Sequence, residues 1–270
     1  MRKPILLPGP FHPGHGTNRM RGEGDVGAAR EYFIRHRPSN LAHLLSQRFS
    51  WMNEYIQPGT RALELGCGAG FSQFYINQPI VLSDVEMRPW VNRTLDALSL
   101  DIPDESFEVI ICSHMLHHLA KPLQFFERVS RVLTPGGRLL INEINTALIM
   151  RSLLRIMNHE GWSYDVDIFD PHATANDPAD PWSANCAIPQ LLFSDLQAFE
   201  ARVPFFRCER HELTECFVFP LSGGVIAKSP TVNLPAAILR AIDGLDSILI
   251  RLMPAVFPMA RRVVLQSVRT

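Results

Sequence analysis

Gly66, Gly68 and Gly70 are the residues of this chain best spaced for chemistry. They lie in Ala62-Leu63-Glu64-Leu65-Gly66-Cys67-Gly68-Ala69-Gly70-Phe71, a short apolar run that turns over bare backbone. A turn without side chains lets a ligand lie directly against main-chain N–H groups. A second apolar run, Ile80-Val81-Leu82-Ser83, ends in Asp84. An acid at a strand tip accepts hydrogen bonds from the two hydroxyls of a ribose. Glycine turn and acid together imply a nucleoside cofactor without saying which one. Beyond them, Ser113, His114, His117 and His118 follow a β-branched run, and Glu143 and Asn145 follow the next. A neutral imidazole suits proton removal near pH 7, so His114 and His118 are the candidate catalytic bases. His114, His117 and His118 are also zinc-ligand types, but no fourth ligand is evident, and no metal is expected.

The elements that must position these residues alternate. Strands are expected at 62–65, 80–83, 91–95, 107–113 and 138–143, and helices at 71–76 and 121–133. Thr134-Pro135-Gly136-Gly137 stops the second helix. Such alternation gives a parallel sheet covered by helices, with ligands at the carboxyl ends of its strands. Before it, Tyr32, Phe33, Leu41, Leu44, Leu45, Phe49 and Met52 recur at helical spacing, and Pro38 divides them into two helices. After it, 147–159 and 190–200 read as helices, with late strands at 203–207 and 216–219. Residues 161–189 form a long Asp-rich loop in which Trp162, Trp182 and Asn185 could wall a pocket. Asn233-Leu234-Pro235 reads as the cap of a last helix.

The bulk numbers set limits. At 270 residues, 46% hydrophobic and 20% charged, the chain can bury a full core. A net charge of −1 offers no electrostatic footprint for nucleic acid. Five scattered cysteines without a C-x-x-C pair read as reduced thiols, and no membrane span or signal peptide is visible. A cytoplasmic protein is therefore expected. Residues 1–25, rich in Gly, Pro and His, read as a mobile arm; His12 and His15 lie in it without supporting ligands.

Taken together, the segments from about 61 to 143 resemble the class I S-adenosylmethionine-dependent methyltransferases, in the type 11 branch that includes the quinone-biosynthesis enzymes. Glu64 to Gly70 is similar to the family's first motif and Asp84 to its ribose-binding acid. Asp96-Ala97 is similar to the segment flanking the adenine. Leu116-His117-His118-Leu119 resembles the turn after strand four, and Arg131 to Leu139 a late helix-to-strand signature. The resemblance implies a Rossmann-like α/β fold with seven mostly parallel strands, the last antiparallel, and N-terminal helices with a C-terminal helical extension. It implies cofactor contacts at Glu64, Gly66, Cys67, Gly68, Gly70, Asp84, Asp96, Ala97 and Ser113. In domain terms it places acceptor-capping helices at 26–57, the methyltransferase domain at 58–220 with a lid-like insertion at 146–200, and the extension at 221–270.

The implied activity is methyl transfer to a small-molecule acceptor, with oxygen favoured as the accepting atom. The aromatic loop and an apolar tail favour a hydrophobic or lipid-linked acceptor. Leu234, Ile238, Ala241, Ile242, Leu245, Ile248, Leu249 and Leu252 share one helix face. Six Lys or Arg against two Asp in 221–270 allow that helix to lie on an anionic membrane. Packing on its own domain or on a second subunit is the commoner use of such a face. Two other classes compete. A nicotinamide-dependent oxidoreductase would want G-x-G-x-x-G and a Tyr-x-x-x-Lys pair, neither of which is present. A non-catalytic cofactor-binding relative would keep the glycines and lose transfer.

Overall fold

The computed structural model describes residues 10–12, 25–158, 160–180, 183–226 and 229–269. Its strands are β1 (Ala62–Leu65), β2 (Val81–Asp84), β3 (Arg93–Thr94), β4 (Phe107–Ser113), β5 (Leu133–Ile144), β6 (Phe206–Thr214) and β7 (Ala260–Ser267). They form one sheet in the order β3-β2-β1-β4-β5-β7-β6. β1 to β5 are parallel to one another, and β7 runs antiparallel to both β5 and β6. This is the expected Rossmann-like sheet, seven strands and mostly parallel.

Alternation along β4 shows how both faces are covered. Ile110 and Cys112 enter a cluster with Phe126, Val129, Phe193, Phe199 and Phe206. Val109 and Ile111, one residue out of step, enter a second cluster with Phe33, Leu41, Leu45 and Phe49. The aromatic side of the first cluster is supplied by Phe206 of β6 and by three helices, α3 (Pro122–Val132), α5 (Ile188–Phe193) and α6 (Leu196–Arg202), with two N-terminal helices before α3, and α4 (Leu148–Met157) between α3 and α5. Pro122 sits in the first turn of α3, where its missing N–H has no helical partner to lose.

Helices α1 (Val26–His36) and α2 (Ser39–Phe49) cover the second face. Asp25 caps α1 by accepting from Ala28 N at 2.9 Å, and Arg37 ends it at a φ of 44°. Pro38 separates the two helices, as the spacing predicts. Two helices follow β6: the four-residue α7 (Val218–Leu221) and the 17-residue α8 (Ala236–Leu252).

Several expectations are corrected. Residues 71–76 form only a 3-10 turn, Phe71–Phe74. The late strands are not 203–207 and 216–219: β6 starts at Phe206, and 218–221 are helical. Residues 221–270 are not a helical extension alone, because 260–267 enter the sheet between β5 and β6. Asn233 does not cap α8; its carboxamide oxygen accepts from Ser39 N at the start of α2, at 3.1 Å. Most of the expected N-terminal arm, including His15, lies outside the described residues, as does Trp182.

Candidate active site

A cavity of about 710 Å³ opens at the carboxyl ends of β1, β2 and β4, a size usual for cofactor and substrate pockets. One half gathers the residues expected to contact the cofactor. Glu64, Gly66, Cys67, Gly68, Asp84, Asp96, Ala97 and Ser113 all line it; Gly70 completes the turn behind. Gly66 has a φ of 67°, and a Cβ there would stand 2.6 Å from Met115 Cγ. Gly68 has a φ of 49°, and a Cβ there would meet nothing within 4 Å. Its N–H donates to Asp84 Oδ2 at 2.8 Å, so the acid both faces the cavity and shapes the turn.

Two residues not singled out from sequence hold this turn from outside. Trp90 Nε1 donates to Gly68 O at 2.8 Å. Arg30, from α1, donates to Ala69 O at 2.6 Å and lies 4.7 Å from the Trp90 ring centroid. Below, buried Glu64 accepts from the Ser72 hydroxyl. Burial pushes its carboxyl up to about 8, and the nearby Asp84 charge adds to this, against the Ser72 bond. Burial and the same two carboxylates push the Cys67 thiol up.

The other half of the cavity is apolar. Leu45 and Phe49 of α2, Met150, Leu154 and Met157 of α4, and Phe219, Val225, Ile226 and Met259 wall it. The N-terminal helices and the segment after β5 thus meet there, joined by residues after β6. Trp162 and Asn185 are not part of the wall. Trp162 is buried in a separate cluster with Met150, Leu154, Cys186 and Met259. Asn185 braces the loop by bonding Ser163 N and O.

The histidine turn lies between the halves. His114 lines the cavity with a φ of 53°, and its buried Nε2 has no hydrogen-bond partner. Burial and the Arg48 charge push its imidazole down to about 3. The ring is therefore neutral, able to accept a hydrogen bond and poorly suited to keep a proton. His117 is different: its Nδ1 meets Glu143 Oε2 at 2.7 Å. Burial opposes its charge, but the Glu143 and Glu160 carboxylates override this and raise it. Burial and the His117 charge lower His118, which donates from Nδ1 to Ser183 O at 3.1 Å. Glu143 also accepts from Leu116 N and Ile144 N, and Asn145 bonds Pro258 O and Arg261. Both strand-five candidates are thus fully engaged as braces.

Comparison with known proteins agrees with this geometry. Residues 63–141 match the methyltransferase domain family. A ubiquinone biosynthesis O-methyltransferase of Pseudomonas entomophila is 27% identical over 121 residues, 36% of this chain and 50% of that protein. A 27-O-demethylrifamycin SV methyltransferase of Amycolatopsis mediterranei is 29% identical over 109 residues, 33% of this chain and 40% of that protein. The chain spans about half the length of the curated relatives it matches. An S-adenosylmethionine-dependent methyltransferase from Archaeoglobus fulgidus shares the fold, with a TM-score of 0.52 at 16% identity, over 88% of this chain and 98% of that one. The open space at Gly68 beside a strand-tip acid fits the family's cofactor, S-adenosylmethionine. Residues 63–141 are therefore a class I S-adenosylmethionine-dependent methyltransferase domain of type 11.

Proposed function

We propose that the chain transfers a methyl group to an oxygen of a small hydrophobic acceptor. The observation that carries this reading is the single cavity running from the Gly66–Asp84 cradle to the apolar wall of Leu45, Phe49, Met150, Leu154 and Met259. S-adenosylmethionine supplies an electrophilic methyl carbon on a sulfonium when bound. The remaining work falls to this chain's own residues. Asp84, Gly68 and the Asp96-Ala97 edge bind and orient the nucleoside part. The apolar wall excludes water and aligns the acceptor, which accounts for much of the rate in a direct displacement. His114 presents a neutral imidazole where an acceptor hydroxyl can donate a hydrogen bond.

The test is calorimetric titration with S-adenosylhomocysteine and, separately, NAD, in wild type and Asp84→Ala. Micromolar binding of the homocysteine product, weakened about tenfold or more in the variant and absent for NAD, is expected. Transfer of labelled methyl to phenolic and aliphatic alcohols of increasing chain length then defines the acceptor. Binding of NAD instead would return the oxidoreductase; product binding with no transfer to any acceptor would return the non-catalytic relative.

A peripheral membrane contact is supported by α8. Ile238, Leu245, Ile248 and Leu252 lie exposed along one stripe, with Arg240 and Arg251 beside them. The inward face is anchored by acids instead, Asp243 to His43 and Asp246 to backbone. No helix among the described residues is long and apolar enough to cross a membrane. Co-sedimentation with anionic vesicles, lost in Ile248→Glu, is the expected result; equal recovery without vesicles excludes this contact.

A further inference from the structure

Three metal-ligand atoms converge at the cavity wall, outside the cofactor cradle, with a fourth ligand-type side chain, His118, next to them. His117 Nε2, a Glu160 oxygen and Cys186 Sγ all lie within 4.8 Å of one another. Glu160 Oε2 is 3.5 Å from His117 Nε2 and 3.2 Å from Cys186 Sγ. Its other oxygen is 3.7 Å from His118 Nε2. Donors bound to tetrahedral zinc at about 2.0–2.3 Å stand roughly 3.3–3.8 Å apart. The two edges that meet at Glu160 Oε2 are already close to that length, and His118 Nε2 stands on the carboxylate's other oxygen.

The ring orientations agree. Each histidine Nδ1 faces an oxygen: the Glu143 carboxylate for His117 and the Ser183 carbonyl for His118. A neutral ring in either place carries its proton on Nδ1, which leaves the Nε2 lone pair toward Glu160. A buried carboxylate behind a histidine is the usual device for orienting a metal-bound imidazole. The backbone is preset as well. Asn185 N donates to His117 O at 2.9 Å, and Asn176 Nδ2 bonds both His117 O and Leu119 O. One thiolate, two imidazoles and one carboxylate favour a borderline-soft divalent ion over magnesium or calcium.

We propose that His117, Glu160 and Cys186, with the adjacent His118 as fourth ligand, form a zinc site that fastens Glu160 and Cys186 to the turn after β4. Four protein ligands close the site, so its role is structural: it fixes the wall between cradle and acceptor half. Binding replaces protons; the Cys186 thiol and the His117 Nε2 release theirs to solvent as the metal bonds form. The proposal does not depend on the methyl-transfer reading, because its readouts need no activity.

The test uses the untagged full chain, stripped with chelator and titrated with Co²⁺ and with Zn²⁺. One ion per chain is expected, with intense visible bands of tetrahedral cobalt and a thiolate-to-cobalt charge-transfer band. Cys186→Ser should abolish the charge-transfer band, and Glu160→Gln should weaken binding about tenfold or more. Cys208→Ser, on β6 and outside the cluster, should change neither. No stoichiometric binding to wild type overturns the proposal. So does a charge-transfer band that survives in Cys186→Ser, or affinity unchanged in Glu160→Gln. If Cys186→Ser fails to fold, the partly exposed Glu160 position decides the matter.

Discussion

At the scale of single residues, Glu64 and Arg30 do different work around one turn. Glu64 is held protonated by burial, with its folded value near 8 above an ordinary 4.5. A raised value means that the stability it contributes is complete below about pH 4.5 and is lost as pH rises through 8. Glu64→Gln cannot ionise, so it should escape on the order of 3–4 kcal/mol of the loss that wild type shows between about pH 5 and pH 8. Urea melts at the two pH values read this directly; parallel losses in both proteins would show an ionised Glu64. Arg30 acts through charge-assisted hydrogen bonds to the turn carbonyls, each worth about 1.5–3 kcal/mol. Arg30→Ala should weaken S-adenosylhomocysteine binding by about tenfold with α1 still folded, as titration and circular dichroism on the same sample would show.

Elements are joined by polar anchors as much as by apolar faces. Asp246 of α8 accepts from Cys216, Phe217 and Val218 N at 3.0, 2.9 and 3.1 Å, capping α7 from another helix. Asp246→Ala leaves three donors without this partner and should cost about 2 kcal/mol in a thermal or urea melt. Hydrogen exchange should then rise across 216–221 and 236–252 together. That anchor also explains what the sequence hid. The pattern of 62–143 was legible because short apolar runs, glycines and a strand-tip acid each depend on neighbours close in sequence. β7 was not, since residues 221–270 read as a helical extension, with Arg261 and Arg262 counted only among its basic residues. In the fold Arg261 is buried on Pro189 O and Asn145, and Arg262 reaches Gln47 O. The site divides the same way. The glycines and Asp84 were readable; Arg30, Trp90, Glu160 and Cys186 join it only through contacts across tens of residues.

For the whole molecule, the sheet order makes one late strand indispensable. β7 pairs with β5 over Arg138–Ile144 and with β6 over Phe206–Thr214, and Met259 just before it walls the cavity. Deleting residues 260–267 should leave β6 without a partner and expose the edge of β5. Loss of S-adenosylhomocysteine binding together with aggregation on gel filtration is the expected outcome; a monomeric truncation that still binds would mean the first five strands stand alone. The same order has a temporal side. A ribosome delivers β1 to β5 and then β6 long before residue 267 clears the exit tunnel, so β6 waits without a ladder through some fifty residues of synthesis. During that interval the nascent chain carries an unclosed sheet edge, a natural point of engagement for a chaperone. Slowing translation after residue 214 should lengthen that exposure and lower the soluble yield.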